Sequence, residues 1–386
     1  MPGHLRRRGK GWQARYPDPL RPGTAKIERT FRTKREAEDW LVQQQAAIID
    51  GTHVSPRAAG RPFAEVVEAW RESWPGRLEP RTQLRYDQAL RVHLLPELGG
   101  RKVGEITHET VQRHVNGLVR RGDLAPGTVR NVYAVLRTAM AYAVRMGLTR
   151  NNPCTSIDLP RPRRQEMLFL TADEVWAVAE TIDPYYRVLA YVAAYTGLRA
   201  GELGALRRED IDLLRGTLTV RRALKDVNGQ LVFGETKTHA HRTITLPRFL
   251  REMLSVHLTC PSPGGSGPEA LVFTGKNGAP LRHNLLYNRY FKRAVRESLP
   301  PAKHRLRFHD LRHTCAALLI QQGAHPKLIS ARLGHSSVQI TLDRYGHLFP
   351  SIEEALADAL DAAFASAETA PPASPTVLTP AARSKS

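Results

Sequence analysis

Cysteine is scarce in this 386-residue chain, and long apolar runs are missing from it. Its three cysteines, Cys154, Cys260 and Cys315, form no C-x-x-C pair, which excludes a zinc ribbon and argues against a secreted disulfide scaffold. The longest apolar run, Val188 to Tyr195, is far shorter than the roughly 20 residues that cross a bilayer. The basic N-terminus has no apolar core behind it, unlike a signal peptide. We therefore expect a soluble, cytoplasmic protein without a membrane partner.

The sequence also lacks a nucleotide-binding loop and a carboxylate cluster for metal-assisted phosphoryl transfer. Gly275-Lys276 is the pair closest to a P-loop, but Ala270 replaces the first glycine of that motif and Asn277 replaces its Ser or Thr. We therefore expect neither a nucleotide nor a metal cofactor.

Positive charge is in large excess. Lys and Arg number 57 against 37 Asp and Glu, a formal net charge of +20, which indicates a polyanionic partner, with nucleic acid as the first candidate. Of these cations 46 are Arg, which fits bidentate phosphate recognition and fits a GC-rich genome equally well. The excess is spread over the chain, with net charges of +6 in residues 1–57 and +6 in residues 61–150. This distribution predicts that several domains contact the same polyanion, as in a clamp.

Residues 1–57 are predicted to form a small α+β domain. Trp12–Tyr16 and Lys26–Phe31 have strand character, and the spacing of Thr33 and Glu36 predicts a capping box at the start of a helix that ends at Gly51. A linker rich in small residues and proline follows, over residues 55–62.

Residues 61–152 are predicted to be all-helical, because apolar residues recur there at helical spacing. The second of these helices is expected to stop at Pro96 and Gly99-Gly100, and Gly122 and Gly147 are expected to end the third and fourth. Residues 165–365 are predicted to form a mixed α/β domain, mainly helical with a small antiparallel sheet, and residues 366–386 a disordered tail. The chain is thus expected to be multidomain.

The first stretch that indicates phosphate chemistry is Thr196–Leu203. A glycine, Gly197, ends a predicted helix, and Arg199 then opens the next one with Glu202 three residues further on, close enough to pair with it. A plain surface ion pair is the alternative.

The second stretch is Arg307–Thr314, in which His309 and Arg312 are three residues apart and share a helix face. An imidazole and a guanidinium on one face can both donate hydrogen bonds to one phosphate. His309 and His313 also have the i, i+4 spacing of HExxH zinc ligands. Asp310 in place of glutamate and the neighbouring Arg312 disfavour zinc.

Two further stretches lie near the end of the chain. His335 follows Gly334 at a predicted helix junction, and Tyr345 lies ten residues later. Each of these residues alone is more often structural, since a histidine at a corner and a tyrosine near a helix end commonly pack in a core.

Together, Arg199 with Glu202, His309-x-x-Arg312, Leu333-Gly334-His335 and Tyr345 closely resemble the tyrosine recombinase (phage integrase) family in order and spacing. The resemblance covers residues 165–355 strongly. Residues 62–150 are similar to the family's core-DNA-binding domain, and residues 1–57 to the arm-site-binding domain of lambda-type integrases. The family's lysine, which lies in a β-hairpin turn, matches Lys237, with Lys225 as the competitor.

The resemblance implies a role for each matched residue. Tyr345 would attack the scissile phosphate and leave a 3′-phosphotyrosine and a free 5′-hydroxyl, while Arg199 and Arg312 stabilise the charged transition state. Lys237 would protonate the departing 5′-oxygen, His309 would assist proton transfer, and His335 would hydrogen-bond the phosphate. Glu202 would support Arg199.

The implied function is site-specific integration or excision of a phage or genomic island. The implied partners are double-stranded DNA attachment sites, a homotetramer of this chain on DNA, an excisionase and a DNA-bending host factor, with nucleoid association when DNA is bound. A type IB topoisomerase-like enzyme, chromosome-dimer resolution and a non-enzymatic DNA-binding regulator are the alternatives. The His335–Tyr345 spacing and the N-terminal segment favour integration.

Overall fold

A computed structural model of the chain describes residues 3–19, 26–51, 53–162, 166–235, 241–349, 357–358, 360–362 and 364–365. The chain divides into two compact units, residues 1–165 and 166–386. The predicted tail at 366–386 lies outside the described residues. None of the helices in the described part of the chain is long and apolar enough to cross a membrane.

The first unit begins with an antiparallel sheet in the order β1 (His4–Arg8), β2 (Gly11–Pro17), β3 (Lys26–Phe31), followed by helix α1 (Lys34–Ile49). The predicted capping box is present, since Thr33 and Glu36 exchange side-chain and backbone hydrogen bonds. Trp40 on α1 is buried in a small core against the sheet. Strand β1 was not predicted, because its sequence HLRRR is largely exposed and shows no apolar alternation.

A helical segment completes the first unit, and its buried face is almost entirely apolar. Its helices are α2 (Pro56–Ala59), α3 (Phe63–Glu72), α4 (Pro80–Ala89), α5 (Leu95–Leu98), α6 (His108–Arg121) and α7 (Pro126–Arg145). Gly122 caps α6 in the left-handed conformation, as predicted. Gly147 is also left-handed, one residue after the cap of α7 at Met146.

The predicted stop at Pro96 and Gly99-Gly100 is wrong for the proline and correct for the glycines. A π-helical turn over Leu90–Leu94 joins α4 to α5, and Pro96 lies in the first turn of α5. A proline is tolerated in the first turn of a helix, because its missing N–H would have no intrahelical acceptor there. The π turn over Leu90–Leu94 is followed by a new first turn, in which Pro96 lies, and the helical path continues through it. The helical path therefore ends at Leu98, before Gly99.

The second unit is mainly helical with small antiparallel sheets, which confirms the predicted fold class. Strands β4, β5 and β8 form one sheet in that order, and β6 pairs with β7 as a hairpin. The elements are α8 (Ala172–Thr181), α9 (Arg187–Thr196), α10 (Ala200–Gly204), β4 (Ile211–Asp212), β5 (Thr217–Val220), β6 (Arg222–Val227), β7 (Gln230–Glu235), β8 (Arg242–Thr245), α11 (Arg248–Thr259), α12 (His283–Leu285), α13 (Lys292–Ser298), α14 (Asp310–Gln321), α15 (Pro326–Leu333) and α16 (Val338–Tyr345).

Helices α9 and α14 pack against each other, and the turn of the β6–β7 hairpin lies at Asn228-Gly229. Both turn residues have positive φ, 52° and 78°, as a two-residue type I′ hairpin turn requires. Of the candidate site residues, Arg199 follows the end of α9, Arg312 lies in the first turn of α14, His335 follows α15 and Tyr345 ends α16.

Candidate active site

Arg199 lies at a junction that requires a glycine. Helix α9 ends at Gly197 with a φ of +68°, and a Cβ at this position would lie 3.2 Å from the Cys315 Sγ and clash with the Leu333 side chain. Both the left-handed backbone and the close approach of α14 and α15 therefore demand glycine. The junction places Arg199 at the N-cap of α10, where its Nη2 donates to the Gly334 carbonyl at 3.3 Å.

Glu202 is the buried carboxylate of the site. It is 2% exposed and accepts hydrogen bonds from the backbone N–H and the Nη1 of Arg199, each at 2.9 Å. The predicted Arg199–Glu202 pair is therefore present in the interior, and the alternative of a surface pair does not describe it.

Arg242, at the start of β8, holds the other side of this carboxylate. Its Nη1 and Nη2 donate to the two Glu202 oxygens at 3.1 and 2.6 Å, and its Nε donates to the Arg332 carbonyl at 2.9 Å. Sequence reasoning identified Arg242 only as the start of a strand. A buried carboxylate needs paired donors, but the sequence near Glu202 carries no signal of its burial, so nothing local pointed to a second cation.

The two arginines determine the charge state of Glu202. Burial by itself raises the pKa of this carboxyl, but the hydrogen bonds and charge of Arg242, with those of Arg199, outweigh burial and lower it. Glu202 is therefore ionised at neutral pH and holds both guanidinium groups in fixed orientations.

Arg312 projects from the first turn of α14 and is 3% exposed. Its Nη1 donates to the Gly197 carbonyl at 2.8 Å, while its buried Nη2 has no hydrogen-bond partner among the described residues. Burial, together with the positive charge of Arg199, lowers its pKa to about 10. A buried donor without an acceptor is costly, so the Arg312 Nη2 marks a place where an anion would satisfy the site.

His335 occupies the corner between α15 and α16. Gly334 ends α15 in the left-handed conformation, as predicted, and the His335 Nδ1 lies 2.8 Å from the Thr341 Oγ1. Burial, followed by the charges of Arg312 and Arg199, lowers its pKa to about 4. The neutral imidazole therefore has its Nδ1 occupied by Thr341, which leaves Nε2 as the atom for a ligand.

Tyr345 is the last residue of α16, and only 1% of it is exposed. Its ring stacks against that of His335, with centroids 6.5 Å apart and planes 12° from parallel. Its hydroxyl lies 2.7 Å from the Nδ1 of His313. Burial raises the pKa of this phenol, although the charge of Arg312 opposes the increase.

His309 and His313 are adjacent on α14, with ring centroids 5.3 Å apart. His309 is exposed at the N-cap, and desolvation of its ring together with the Arg312 charge lowers its pKa. The Nδ1 of His313 lies beside the Tyr345 hydroxyl. Within the described ranges, no group of three or more His, Cys, Asp or Glu side chains could hold a metal ion.

The two lysine candidates differ in what the structure describes. Lys237 lies in residues 236–240, outside the described residues, between the end of β7 at Glu235 and the start of β8 at Arg242. Lys225 lies on β6, opposite Val232 of β7.

Arg199, Glu202, Arg312, His335 and Tyr345 therefore converge from four chain segments, with His309 beside them on α14. The arrangement offers guanidinium donors held by buried acceptors, a neutral imidazole and a phenol hydroxyl in one cluster. It can bind a tetrahedral or trigonal-bipyramidal anion and present an oxygen nucleophile to it.

The chain matches known proteins along most of its length. Residues 168–351 match the phage integrase family, residues 62–119 the N-terminal SAM-like domain of phage integrases, and residues 2–50 the phage integrase N-terminal domain. An integrase of Mycobacterium phage D29 is 32% identical over 350 residues, which cover 88% of this chain and 91% of that relative.

Solved structures show the same fold. The Tn1549 transposon integrase in complex with a circular intermediate DNA is similar with a TM-score of 0.67 at 19% identity, covering 78% of this chain and 99% of that one. A lambda integrase dimer bound to a COC′ core site gives a TM-score of 0.56 at 21% identity, covering 89% of this chain and 94% of that one.

Proposed function

Because this chain belongs to the phage integrase family of tyrosine recombinases, we propose that it integrates and excises a phage or genomic island by cutting and rejoining DNA through a 3′-phosphotyrosine at Tyr345. The observation that carries the proposal is the convergence of the Tyr345 hydroxyl with the buried, half-partnered guanidinium of Arg312 and the Arg199–Glu202–Arg242 cluster.

The cluster accounts for the attack on the phosphate. One non-bridging oxygen of the scissile phosphodiester accepts a hydrogen bond from the Nη2 of Arg312, which has no partner in the part of the chain that the structure describes. Arg199 donates to the second non-bridging oxygen. The Nε2 of His335 donates a further hydrogen bond. These donors stabilise the additional negative charge of the pentacoordinate transition state while the Tyr345 oxygen forms its bond to phosphorus.

Proton transfer to the leaving group is assigned to Lys237, with His309 assisting at the exposed side of the site. Cleavage of a substrate with sulfur in place of the bridging 5′-oxygen tests this assignment, because a thiolate leaves without a proton. We expect Lys237→Ala to be rescued by this substrate and Lys225→Ala to be little affected with either substrate. If the 5′-sulfur substrate instead restored cleavage by Lys225→Ala, Lys225 would be the general acid.

The domain roles follow the same proposal. Residues 1–57 contact arm sites, residues 61–152 the core DNA, and residues 165–365 perform catalysis, with 366–386 as a tail. The working assembly is a homotetramer on double-stranded attachment sites, aided by an excisionase and a DNA-bending factor, and the chemistry requires no cofactor.

A cleavage assay tests the proposed function. Footprinting on the genomic DNA that flanks its gene defines the core site, and an oligonucleotide of that site with a nick beside the scissile phosphate traps the covalent product. We expect an SDS-stable adduct in EDTA without ATP, and none with Tyr345→Phe. Adduct formation that requires added metal would contradict the proposal. Binding without an adduct would favour a regulator, and relaxation of plasmids lacking the site would favour a topoisomerase.

Removal of residues 1–57 tests the arm-site role. This segment has a net charge of +6, and its core around Trp40 is separate from the helical core. We expect the shortened chain to bind and cleave a core site as before and to lose recombination of full attachment sites by about 10²–10⁴, the usual gain from linked binding. Gel shifts on core-only and core-plus-arm DNA measure this difference. Equal loss of affinity for both DNAs would show that the segment belongs to the core clamp.

A further inference from the structure

His313 makes a contact that the roles assigned above do not use. Its Nδ1 lies 2.7 Å from the Tyr345 hydroxyl, in the interior of the second unit. His313 is one residue after Arg312 on α14, and Tyr345 ends α16, so this hydrogen bond joins the two helices at the phosphate site. Any nucleophilic attack by Tyr345 must dispose of the proton that this hydroxyl carries.

The surroundings determine which way this hydrogen bond runs. The Nε2 of His313 faces the buried carboxylate of Asp310, with the Oδ1 4.0 Å away. Burial, followed by the charge of His309, lowers the pKa of His313 to about 4, so the ring is neutral at pH 7. A neutral imidazole beside a carboxylate keeps its proton on the nitrogen that faces the carboxylate. In the tautomer with its proton on Nε2, the Nδ1 lone pair faces Tyr345 and the phenol donates to it.

Asp310 is fixed for this purpose by its own partners. It accepts hydrogen bonds from the backbone N–H of Arg307 at 2.7 Å and from the Arg307 Nη2 at 2.9 Å. Asp310, His313 and Tyr345 therefore lie in the order carboxylate, imidazole and hydroxyl, in which a histidine activates an oxygen nucleophile while a carboxylate orients it. The 4.0 Å between the Asp310 Oδ1 and the His313 Nε2 is too long for a hydrogen bond, so Asp310 orients the ring by its charge.

We propose that His313 is the general base for Tyr345, with Asp310 as the residue that positions it. The proposal rests on the proposed function. In cleavage, the Tyr345 Oη–P bond forms as the P–O5′ bond breaks, the phenol proton moves to the His313 Nδ1, and the departing O5′ receives a proton from the acid assigned to Lys237. In rejoining, the 5′-hydroxyl attacks phosphorus and returns its proton to Lys237, the P–Oη bond to Tyr345 breaks, and the imidazolium of His313 returns its proton to the phenol.

The other histidines are poorly placed for this role. The Nδ1 of His335 is engaged with Thr341, and its Nε2 is assigned to the phosphate, so neither ring nitrogen is left for the phenol. His309 presents its ring to His313, not to Tyr345. The negative phosphodiester that enters the cluster raises the proton affinity of His313 at the moment when the proton must move.

The test uses the full chain and the nicked core-site substrate under single-turnover conditions. His313→Asn keeps an oxygen acceptor near the position of Nδ1 but removes the basic nitrogen. We expect cleavage to slow by about 10²–10⁴, the usual contribution of general base catalysis, with DNA affinity unchanged. The matched control is Ile320→Val on the same helix. Ile320 is buried in one apolar cluster with Leu333 and Tyr345, and this variant should cleave at the unmutated rate.

A second measurement separates basicity from packing. Difluorotyrosine placed at position 345 alone has a more acidic phenol and depends less on a base. We expect difluorotyrosine to raise the cleavage rate of His313→Asn by a factor about tenfold or more larger than the factor by which it raises the rate of the unmutated chain. This expectation follows from the Brønsted dependence of proton transfer. Asp310→Asn should show a smaller loss with the same rescue, which keeps the test valid if His313→Asn folds poorly.

Two results would overturn the inference. Cleavage by His313→Asn at the unmutated rate would show that the base is elsewhere, and a loss that difluorotyrosine leaves unchanged would show that His313 acts through packing. Both results are distinct from a failure of the proposed function, in which the unmutated chain would form no adduct at Tyr345.

Discussion

The helical core of residues 61–152 and the interior around α14 bury very different side chains. The helical core packs residues such as Phe63, Leu136 and Met140 with almost no polar members, and its buried His114 pairs with Glu97, which reaches the surface. The interior around α14 instead buries Glu202 and Arg312.

The difference separates folding from chemistry. Burial of apolar area suffices to stabilise a helical domain, whereas buried ions and unpartnered donors cost free energy. Among the residues that the structure describes, unsatisfied buried nitrogens occur in both regions, at the Trp74 Nε1 and at the Arg312 Nη2, so the distinguishing feature of the interior around α14 is its buried charge. We attribute these buried charges to the binding of a phosphate.

The largest effect is expected from the buried carboxylate of the charged interior. Glu202→Gln removes the charge that compensates Arg242 and Arg199, and loss of one partner from a buried pair costs about 3–5 kcal/mol. We expect thermal unfolding of the second unit at pH 7 to move down accordingly. A change below about 1 kcal/mol would mean that the pair is not buried in solution.

The same variant has a predictable pH dependence. The folded pKa of Glu202 is lowered from its ordinary value of 4.5, so its contribution to stability is fully present above about pH 4.5 and is lost as the pH falls through the folded pKa. The stability difference between the unmutated chain and Glu202→Gln should therefore shrink below pH 4.5. A difference that is constant down to pH 2 would contradict this sign.

A somewhat smaller effect is expected from removal of Arg312, whose guanidinium has one partnered nitrogen and one that is unpartnered over the described ranges. Arg312→Ala should slow cleavage of the core site by about 10²–10³ or more, the usual loss for a charged transition-state donor. Because one of its donors is unsatisfied, the free energy of unfolding should change less than for Glu202→Gln. Quenched single-turnover assays measure the cleavage rate, and thermal melts on the same sample measure the change in the free energy of unfolding. A large loss of stability with little loss of rate would reverse the comparison.

The smallest effect is expected in the apolar core. Leu136 is fully buried, and Leu136→Met conserves its volume, so the free energy of unfolding should fall by less than about 1.5 kcal/mol. Cleavage by the folded protein should be unchanged. A loss of cleavage that exceeds the loss of folded protein would show that the helical core also shapes the chemistry.

Local signals in the sequence predicted much of this molecule. Helix α9 ends at Gly197 and helix α6 at Gly122, as expected, because left-handed caps are encoded within a few residues. Strand β1 and the path through Pro96 were missed, because β1 lacks an apolar pattern and a π turn leaves no local signature.

The contacts of the site depend on distant parts of the chain. Arg242 meets Glu202 across 40 residues, and His313 meets Tyr345 across 32. No spacing rule connects such pairs. The family pattern selected Arg199, Arg312 and Tyr345, which the fold brings together, whereas the helical spacing of His313 indicated only an i, i+4 partner on its own helix. Lys237 stays a prediction.

Identification of the linked residue tests the central claim most directly. The adduct formed on the nicked core site is digested with protease and nuclease, and the peptide that carries the nucleotide is sequenced by mass spectrometry. We predict a single phosphotyrosyl peptide with Tyr345 joined to the 3′-phosphate. A nucleotide on Tyr287 or Tyr290, or a linkage to a 5′-phosphate, would contradict the account.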